Sequence, residues 1–325
     1  MKAVLCKQHG LPETLVLEDV PSPTPGPKEV VISVKACGVN FPDTLIIQNK
    51  YQFKPDLPFS PGGEIAGVVK AVGEGVKHVK PGDTVIALTG WGGFAEEVLT
   101  DAAKVFPVPP MFDFKVAATF AYAYGTSYYA LKDRAQLKAG ETLLVLGASG
   151  GVGLAAVQLG KVMGAKVIAA ASTAEKLEVC RQSGADELVN YNDADWREQI
   201  KALTGGNGVD VVYDAVGGGY AEPALRSMAW CGRYLVVGFA AGDIPKIPLN
   251  LTLLKGCAIV GVFWGDFARR QPKDNMGNMM QLFAWLAQGQ LKPHISAEYP
   301  LEQAAQALND LLQRRATGKV VLVVE

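Results

Sequence analysis

The chain has 325 residues, 49% of them apolar and 19% charged, which supports a large buried core and about two domains. Its 31 basic and 32 acidic side chains leave a net charge of −1, which argues against a protein built to grip nucleic acid or an anionic membrane. Five scattered cysteines without a C-x-x-C, and three isolated histidines, argue against a disulfide framework or a clustered metal site and suit a reducing cytoplasm. The apolar stretch after Met1 is too short for a leader, and no apolar run approaches the ~20 residues of a membrane span.

Residues 1 to about 110 read as β-rich. Leu15–Val20, Glu29–Val39, Glu64–Val72 and Thr84–Leu88 alternate or run apolar as strands do, and the proline run 21–27 reads as a rigid connecting loop. Helical spacing follows in Phe114–Tyr122 and Ser127–Asp133. The predicted strands are then Thr142–Leu146, Lys166–Ala170, Glu187–Asn190, Val209–Asp214, Gly232–Val237 and Ala258–Phe263. Between them lie predicted helices Gly151–Met163, Ala174–Ser183, Trp196–Leu203 and Tyr220–Met228. Such alternation specifies a doubly wound parallel sheet, an α/β architecture. After residue 265 the amphipathic helices Asn275–Ala287 and Leu301–Arg314 and a closing strand Val320–Val324 have no core of their own, so this tail is expected to return to the N-terminal part. The expected domains are 1–122 with 265–325, and 123–264.

The sharpest motif is Gly147-Ala-Ser149-Gly150-Gly151-Val152-Gly153, between a strand and a helix. Glycines there allow a tight turn, a close approach of backbone to a pyrophosphate, and close packing of helix on strand, while the helix N-terminus offers N–H groups to the phosphate. An NAD site usually ends its second strand in an acid for the ribose 2′-hydroxyl. Here Ala171-Ser172-Thr173 ends it, and Lys176 follows. A hydroxyl and a cation suit a 2′-phosphate, hence NADPH, although Lys176 also fits a solvated helix position.

These motifs, with Val34–Asp43, Pro61-Gly-Gly63-Glu64-Ile-Ala-Gly67, Pro81-Gly82-Asp83, Gly184-Ala185-Asp186 and Asn190-Tyr191 in this order, resemble the zinc-free medium-chain dehydrogenase/reductases of the quinone oxidoreductase (zeta-crystallin-like) branch. The resemblance implies a GroES-like β-rich catalytic domain and a Rossmann cofactor domain. It implies that Lys176, Tyr191 and Arg315, alongside Ser172, contact the 2′-phosphate, that Gly238-Phe239-Ala240 borders the nicotinamide, and that Thr126 lies near it. Zinc-dependent relatives carry a cysteine where Asn40 stands and a histidine where Gly63 stands, and a catalytic zinc needs three such ligands. No metal is therefore expected, and an electron-poor acceptor, a quinone or an α,β-unsaturated carbonyl, suits hydride transfer without a Lewis acid.

Tyr51 is the first candidate to orient the acceptor or donate a proton; the alternative is an exposed loop aromatic. Asn40 is a candidate to bond the acceptor oxygen or the nicotinamide ribose, or is a turn asparagine. Asp43 reads as a helix-start residue, and Tyr122–Tyr129 as core aromatics. The basic residue frequent in the family after the sixth strand and the arginine frequent before the loop tyrosine are absent: Phe263-Trp264-Gly265-Asp266 and Gln48-Asn49-Lys50 stand there. An apolar edge at 257–263 implies a homodimer, as in related enzymes. The competing readings are an enoyl-thioester or enone reductase, and a non-catalytic binding protein on the same fold.

Overall fold

A computed structural model describes residues 1–108 and 112–324. The chain forms two compact units, Met1–Tyr122 with Ile295–Glu325, and Ala123–His294.

The first unit is built on the strand Glu29–Val39, whose Val30, Val31, Ile32, Val34, Ala36, Cys37 and Val39 are all buried. Burial runs through consecutive positions rather than alternate ones, so both faces of this strand are covered over most of its length and take apolar side chains. The sheet runs in the order Ile295–Pro300, Lys319–Val323, Glu29–Val39, Glu64–Val72, Thr84–Ala87, Val105–Pro107, and Glu97–Asp101 also pairs with Glu29–Val39. The closing strand thus joins the N-terminal sheet antiparallel, Val320 opposite Val39 and Leu322 opposite Cys37. Strands Lys2–Leu5 and Val16–Asp19 form a separate antiparallel pair.

The second unit holds a six-stranded sheet, all of whose neighbouring strands are parallel, in the order Glu187–Asn190, Lys166–Ala171, Thr142–Leu146, Val209–Asp214, Met228–Val236, Ala258–Gly261. Leu143, Leu144, Val145 and Leu146 are fully buried, as a central strand covered on both faces requires. The strand order reverses between Thr142–Leu146 and Val209–Asp214, and in such sheets ligands bind beyond the carboxyl ends of the strands at this switch.

The chain returns to the first unit at residue 295, not at 265. Helices Trp264–Arg270 and Pro272–Ala287 pack within the second unit instead. Trp264 Nε1 donates to Asn275 Oδ1 at 3.0 Å, Phe267 stacks on Tyr129 at 4.1 Å, and Trp285 meets Tyr128 edge-on at 5.2 Å. Gln158 Nε2 donates to the Lys292 carbonyl at 2.8 Å. Amphipathicity announces that these helices need a core, but the aromatic surface that supplies it is made by residues 128–129, far away in sequence.

Candidate functional site

In the second unit the glycine turn follows Thr142–Leu146 directly. Gly147 takes φ +66°, a left-handed conformation open to glycine at little cost. Its carbonyl accepts from Gly150 N at 3.0 Å, and helix Gly151–Val162 starts from Gly150. A side chain at Gly153 would put Cβ 2.2 Å from the Gly147 carbonyl oxygen. Helix and turn therefore lie closer than any other residue permits, with the N–H groups of the first helical turn at the strand's carboxyl end. Ser149 is buried in the turn, and Ser127 Oγ donates to the Val152 carbonyl at 2.9 Å, fastening the preceding helix to the turn. Thr126, half-buried, is the neighbour of that anchor.

The second strand ends where the sequence places the 2′-phosphate group. Lys176 Nζ donates to Ser172 Oγ at 3.3 Å. Thr173 caps the helix Ala174–Gln182 by accepting from Lys176 N, also at 3.3 Å. Tyr191 N donates to the Ala171 carbonyl at 3.1 Å, bringing the tyrosine beside Ser172. Two residues that the sequence reading missed complete this corner. Asn192 Nδ2 donates to the Ser172 carbonyl at 3.1 Å, and Tyr220 packs its ring on Tyr191 at 4.4 Å while its hydroxyl donates to Asn192. Glu175 is exposed at the helix start, its carboxyl lowered by hydrogen bonds there.

At the switch point, buried Asp214 ends its strand and organises the next turn. Its Oδ1 accepts from Val216 N and Gly217 N at 2.8 and 2.9 Å, and its Oδ2 from the Tyr234 hydroxyl at 2.5 Å. This turn bonds back to the predicted nicotinamide stretch: Gly238 N reaches the Asp214 carbonyl, and Ala240 N the Ala215 carbonyl. Phe239 packs against Gly217, and Val216 against Gly147. The carboxylate thus fixes the turn 216–217, and backbone bonds and packing from that turn bring residues 147 and 238–240 to the same rim. Asp214 carries no motif signature; an acid closing an apolar strand was its only signal.

The first unit holds a polar centre of its own. Asn40 is the extended residue before helix Phe41–Ile46. Its N–H donates to Asp43 Oδ2 at 2.7 Å, and Gly62 N donates to Asp43 Oδ1 at 3.3 Å, so Asp43 is the helix-start residue expected of it. Burial raises the Asp43 carboxyl to about 7, against the opposing pull of these N–H groups and of Lys319. Asn40 Nδ2 donates to the Gly38 carbonyl at 3.2 Å and to Glu64 Oε2 at 3.1 Å, while its Oδ1 accepts from Lys319 Nζ at 2.5 Å. Glu64 also accepts from Tyr122 N at 2.8 Å and faces Lys319 at 3.4 Å. Glu64 and Lys319 are 1% and 5% exposed. Both amide hydrogens of Asn40 are therefore taken within this unit, and only its Oδ1 has a lone pair to spare.

Tyr51 is half-buried against the core of this unit, edge-on to Phe53 at 5.8 Å, rather than a freely exposed loop ring. Burial and then the nearby Asp43 raise its phenol, so it keeps its proton at neutral pH. Arg315 also belongs to the first unit, where Nε and Nη2 donate to Asp310 Oδ1 at 2.9 and 2.5 Å. Lys319 and Glu64 went unrecognised as site residues. A lysine opening a strand looks solvated, and the glutamate that opens EIAGVV looks like a strand end; Glu64 and Lys319 meet only when the C-terminal strand pairs with Glu29–Val39.

The residues do not suit a catalytic zinc. Position 40 offers an amide already bonded to an ammonium, and position 63 offers no side chain. A Cβ at Gly63 would stand 2.6 Å from the Tyr122 hydroxyl and 2.9 Å from the Gly90 carbonyl, so its space is filled. Among the described residues no three His, Cys, Asp or Glu side chains gather as a metal set.

A β-rich GroES-like unit and a doubly wound dinucleotide unit in one chain define the medium-chain dehydrogenase/reductases, a class of oxidoreductase enzymes. Residues 26–110 match the alcohol dehydrogenase GroES-like domain and residues 151–285 the zinc-binding dehydrogenase domain. The chain is 40% identical over 325 residues to the quinone oxidoreductase-like protein 2 homolog of Nematostella vectensis, covering 99% of this chain and 88% of that one. It is 36% identical over 327 residues to human quinone oxidoreductase, with 100% and 98% covered. The crystal structure of Escherichia coli quinone oxidoreductase complexed with NADPH superposes with a TM-score of 0.93 at 31% identity, over 99% of this chain and 100% of that one. The chain belongs to the quinone oxidoreductase family within that class.

Proposed function

We propose that this enzyme is an NADPH-dependent reductase that transfers hydride to a quinone without a metal ion. The observation that carries the cofactor choice is the Ser172–Lys176 pair at the end of the second strand, where no acid stands. A cation and a hydroxyl there attract a 2′-phosphate, whereas an NAD site wants a carboxylate. The turn Gly147–Gly153, with Ser149, Gly150, Gly151 and Val152, would hold the pyrophosphate, and Tyr191 would flank the 2′-phosphate. The rim Gly238-Phe239-Ala240, with Thr126, would border the nicotinamide.

Bound NADPH supplies the hydride. The protein's part is to bind, orient and supply a proton, and Tyr51, protonated at neutral pH, is the residue we assign to orient the acceptor and donate that proton. The overall balance is quinone, NADPH and one proton to hydroquinone and NADP⁺. The occupation of position 63's space by the Tyr122 hydroxyl, and of Asn40 by Lys319, supports the metal-free reading.

We also propose a homodimer through the edge strand Ala258–Gly261. Its inner side pairs with Met228–Val236, and no strand covers its outer side among the described residues. The preceding segment and the neighbouring strand are apolar and open: Trp230, Leu249, Leu253 and Leu254 are 73%, 76%, 79% and 68% exposed, and the Trp230 ring packs against Gly256. An open edge with an apolar flank favours pairing with a second copy. The test of function is loss of nicotinamide absorbance with 1,4-benzoquinone against crotonyl-CoA, using NADPH and NADH. Preference for quinone with NADPH supports the proposal; preference for crotonyl-CoA moves the enzyme to the enoyl-thioester reductases; no turnover with either favours a binding protein. No helix among the described residues is long and apolar enough to cross a membrane.

A further inference from the structure

We infer that Lys319 is a positioning residue for the reduction: its buried ammonium fixes the Asn40 carboxamide so that Asn40 meets an incoming ligand as a hydrogen-bond acceptor and not as a donor.

The argument starts from the amide's two ends. Carbonyl and NH₂ of an asparagine differ little in shape, so which end faces a ligand depends on what bonds the other. Here three groups agree. Lys319 Nζ, which can only donate, reaches Oδ1 at 2.5 Å. Gly38 O and Glu64 Oε2, which only accept, take the two amide hydrogens at 3.2 and 3.1 Å. Turning the amide over would set NH₂ against ammonium and a carbonyl against a carboxylate, so the orientation is locked by charge. The remaining lone pair on Oδ1 suits a ligand hydroxyl, such as a ribose hydroxyl, and has nothing to offer a quinone oxygen.

The cation is itself held in place. Glu64 faces it at 3.4 Å and is anchored from the other side by Tyr122 N. Lys319 lies at the start of the closing strand and Asn40 just beyond the end of the strand it pairs with, Val320 opposite Val39. The last strand of the chain thus delivers a charge to the start of helix Phe41–Ile46, and the chain that follows carries Tyr51. The other titratable groups facing this centre are Asp43, Cys37, Tyr51 and Tyr122. Lys319 lowers Asp43 and Cys37, so its removal has an effect that reaches beyond Asn40.

For its activity readout this inference rests on the proposed reductase function, and the experiment separates the two. Wild type, Lys319→Met and the charge-neutral double variant Glu64→Gln/Lys319→Met are compared in NADPH:benzoquinone turnover and in urea unfolding across pH. Removing one partner of a buried ion pair destabilises strongly, whereas removing both does not. The expected result is that Lys319→Met loses stability, that the double variant regains most of it, and that kcat stays at least tenfold down in both because Asn40 is no longer held. Recovery of kcat together with stability in the double variant would overturn the inference, since Lys319 would then only neutralise Glu64. So would wild-type kcat in Lys319→Met. If the wild type reduces no acceptor, the function proposal fails, and NADPH binding by fluorescence titration decides this one: affinity at least tenfold down in both variants supports a held Asn40, and wild-type affinity in the refolded double variant overturns it. The pH at which stability stops falling should rise by about one unit in Lys319→Met, as loss of a nearby positive charge demands of Asp43, and an unmoved profile would refute the coupling.

Discussion

Replacing Gly153 by alanine puts a methyl carbon 2.2 Å from the Gly147 carbonyl oxygen, 2.8 Å from Ala148 Cα and 2.9 Å from the Ala148 carbonyl carbon. All three are backbone atoms of the turn, so no side chain can swing aside. Relief to an ordinary contact requires the helix or the turn to move by about 1 Å, and overpacking of this kind costs roughly 1–3 kcal/mol. For a domain of this size each kcal/mol is worth ~2–4 °C, so Tm should fall by between about 2 and 12 °C. The displaced helix also carries the N–H groups for the pyrophosphate, so NADPH affinity falls with it. Gly150→Ala is the comparison. Its Cβ would lie 3.4 Å from the Gly147 oxygen, an ordinary contact, and its φ of −79° suits any residue. The only expected stability loss there is that of a poorer helix cap, ~0.5–1 kcal/mol, yet the methyl stands at the helix start where the phosphate must approach. Thermal unfolding and NADPH titration by fluorescence should therefore separate the two: Gly153→Ala loses stability and binding, Gly150→Ala mainly binding. Equal stability of Gly153→Ala and wild type, or greater loss in Gly150→Ala, would refute the reasoning.

Lys176→Ala removes a charge-assisted contact worth roughly 1.5–3 kcal/mol, so KM for NADPH should rise about tenfold or more while KM for NADH hardly changes; equal effects on both would dismiss the 2′-phosphate assignment. Dialysis against a strong chelator should leave quinone reduction at its starting rate, and a loss restored by added zinc would contradict the metal-free proposal. Burial holds Asp43 at about 7 in the folded chain, above its ~3.9 when unfolded. The folded state therefore binds the extra proton, so this contribution to stability is largest below about pH 4 and declines until about pH 7, by a few kcal/mol in all. Urea unfolding across that window should show a steeper decline in wild type than in Asp43→Asn, and parallel slopes would count against it. Leu253→Lys/Leu254→Lys should turn a dimer into a folded monomer by light scattering, and an unchanged mass would place any interface elsewhere.

Much of the architecture was legible in short segments. Glu29–Val39, Glu64–Val72, Thr142–Leu146, Glu187–Asn190, Trp196–Leu203 and Val209–Asp214 have the bounds their patterns predict, because each is set by a local period and a nearby turn. The glycine turn and the Ser172–Lys176 corner were legible for the same reason: strand, turn and helix are contiguous, and their spacing fixes their meeting. Helices Trp264–Arg270 and Pro272–Ala287 show the limit, since an amphipathic face says that a core is needed and not which one. The polar centre of the first unit shows it more sharply. Asn40 and Lys319 are 279 positions apart and meet only because the last strand pairs with the third. Residue type made Asn40 a candidate to bond an acceptor oxygen or a ribose; the ammonium beside its Oδ1 and the two acceptors on its Nδ2 are partners no local pattern announces. A side chain's composition sets which hydrogen bonds it can make, and only the partners brought by tertiary pairing decide which remain to be made.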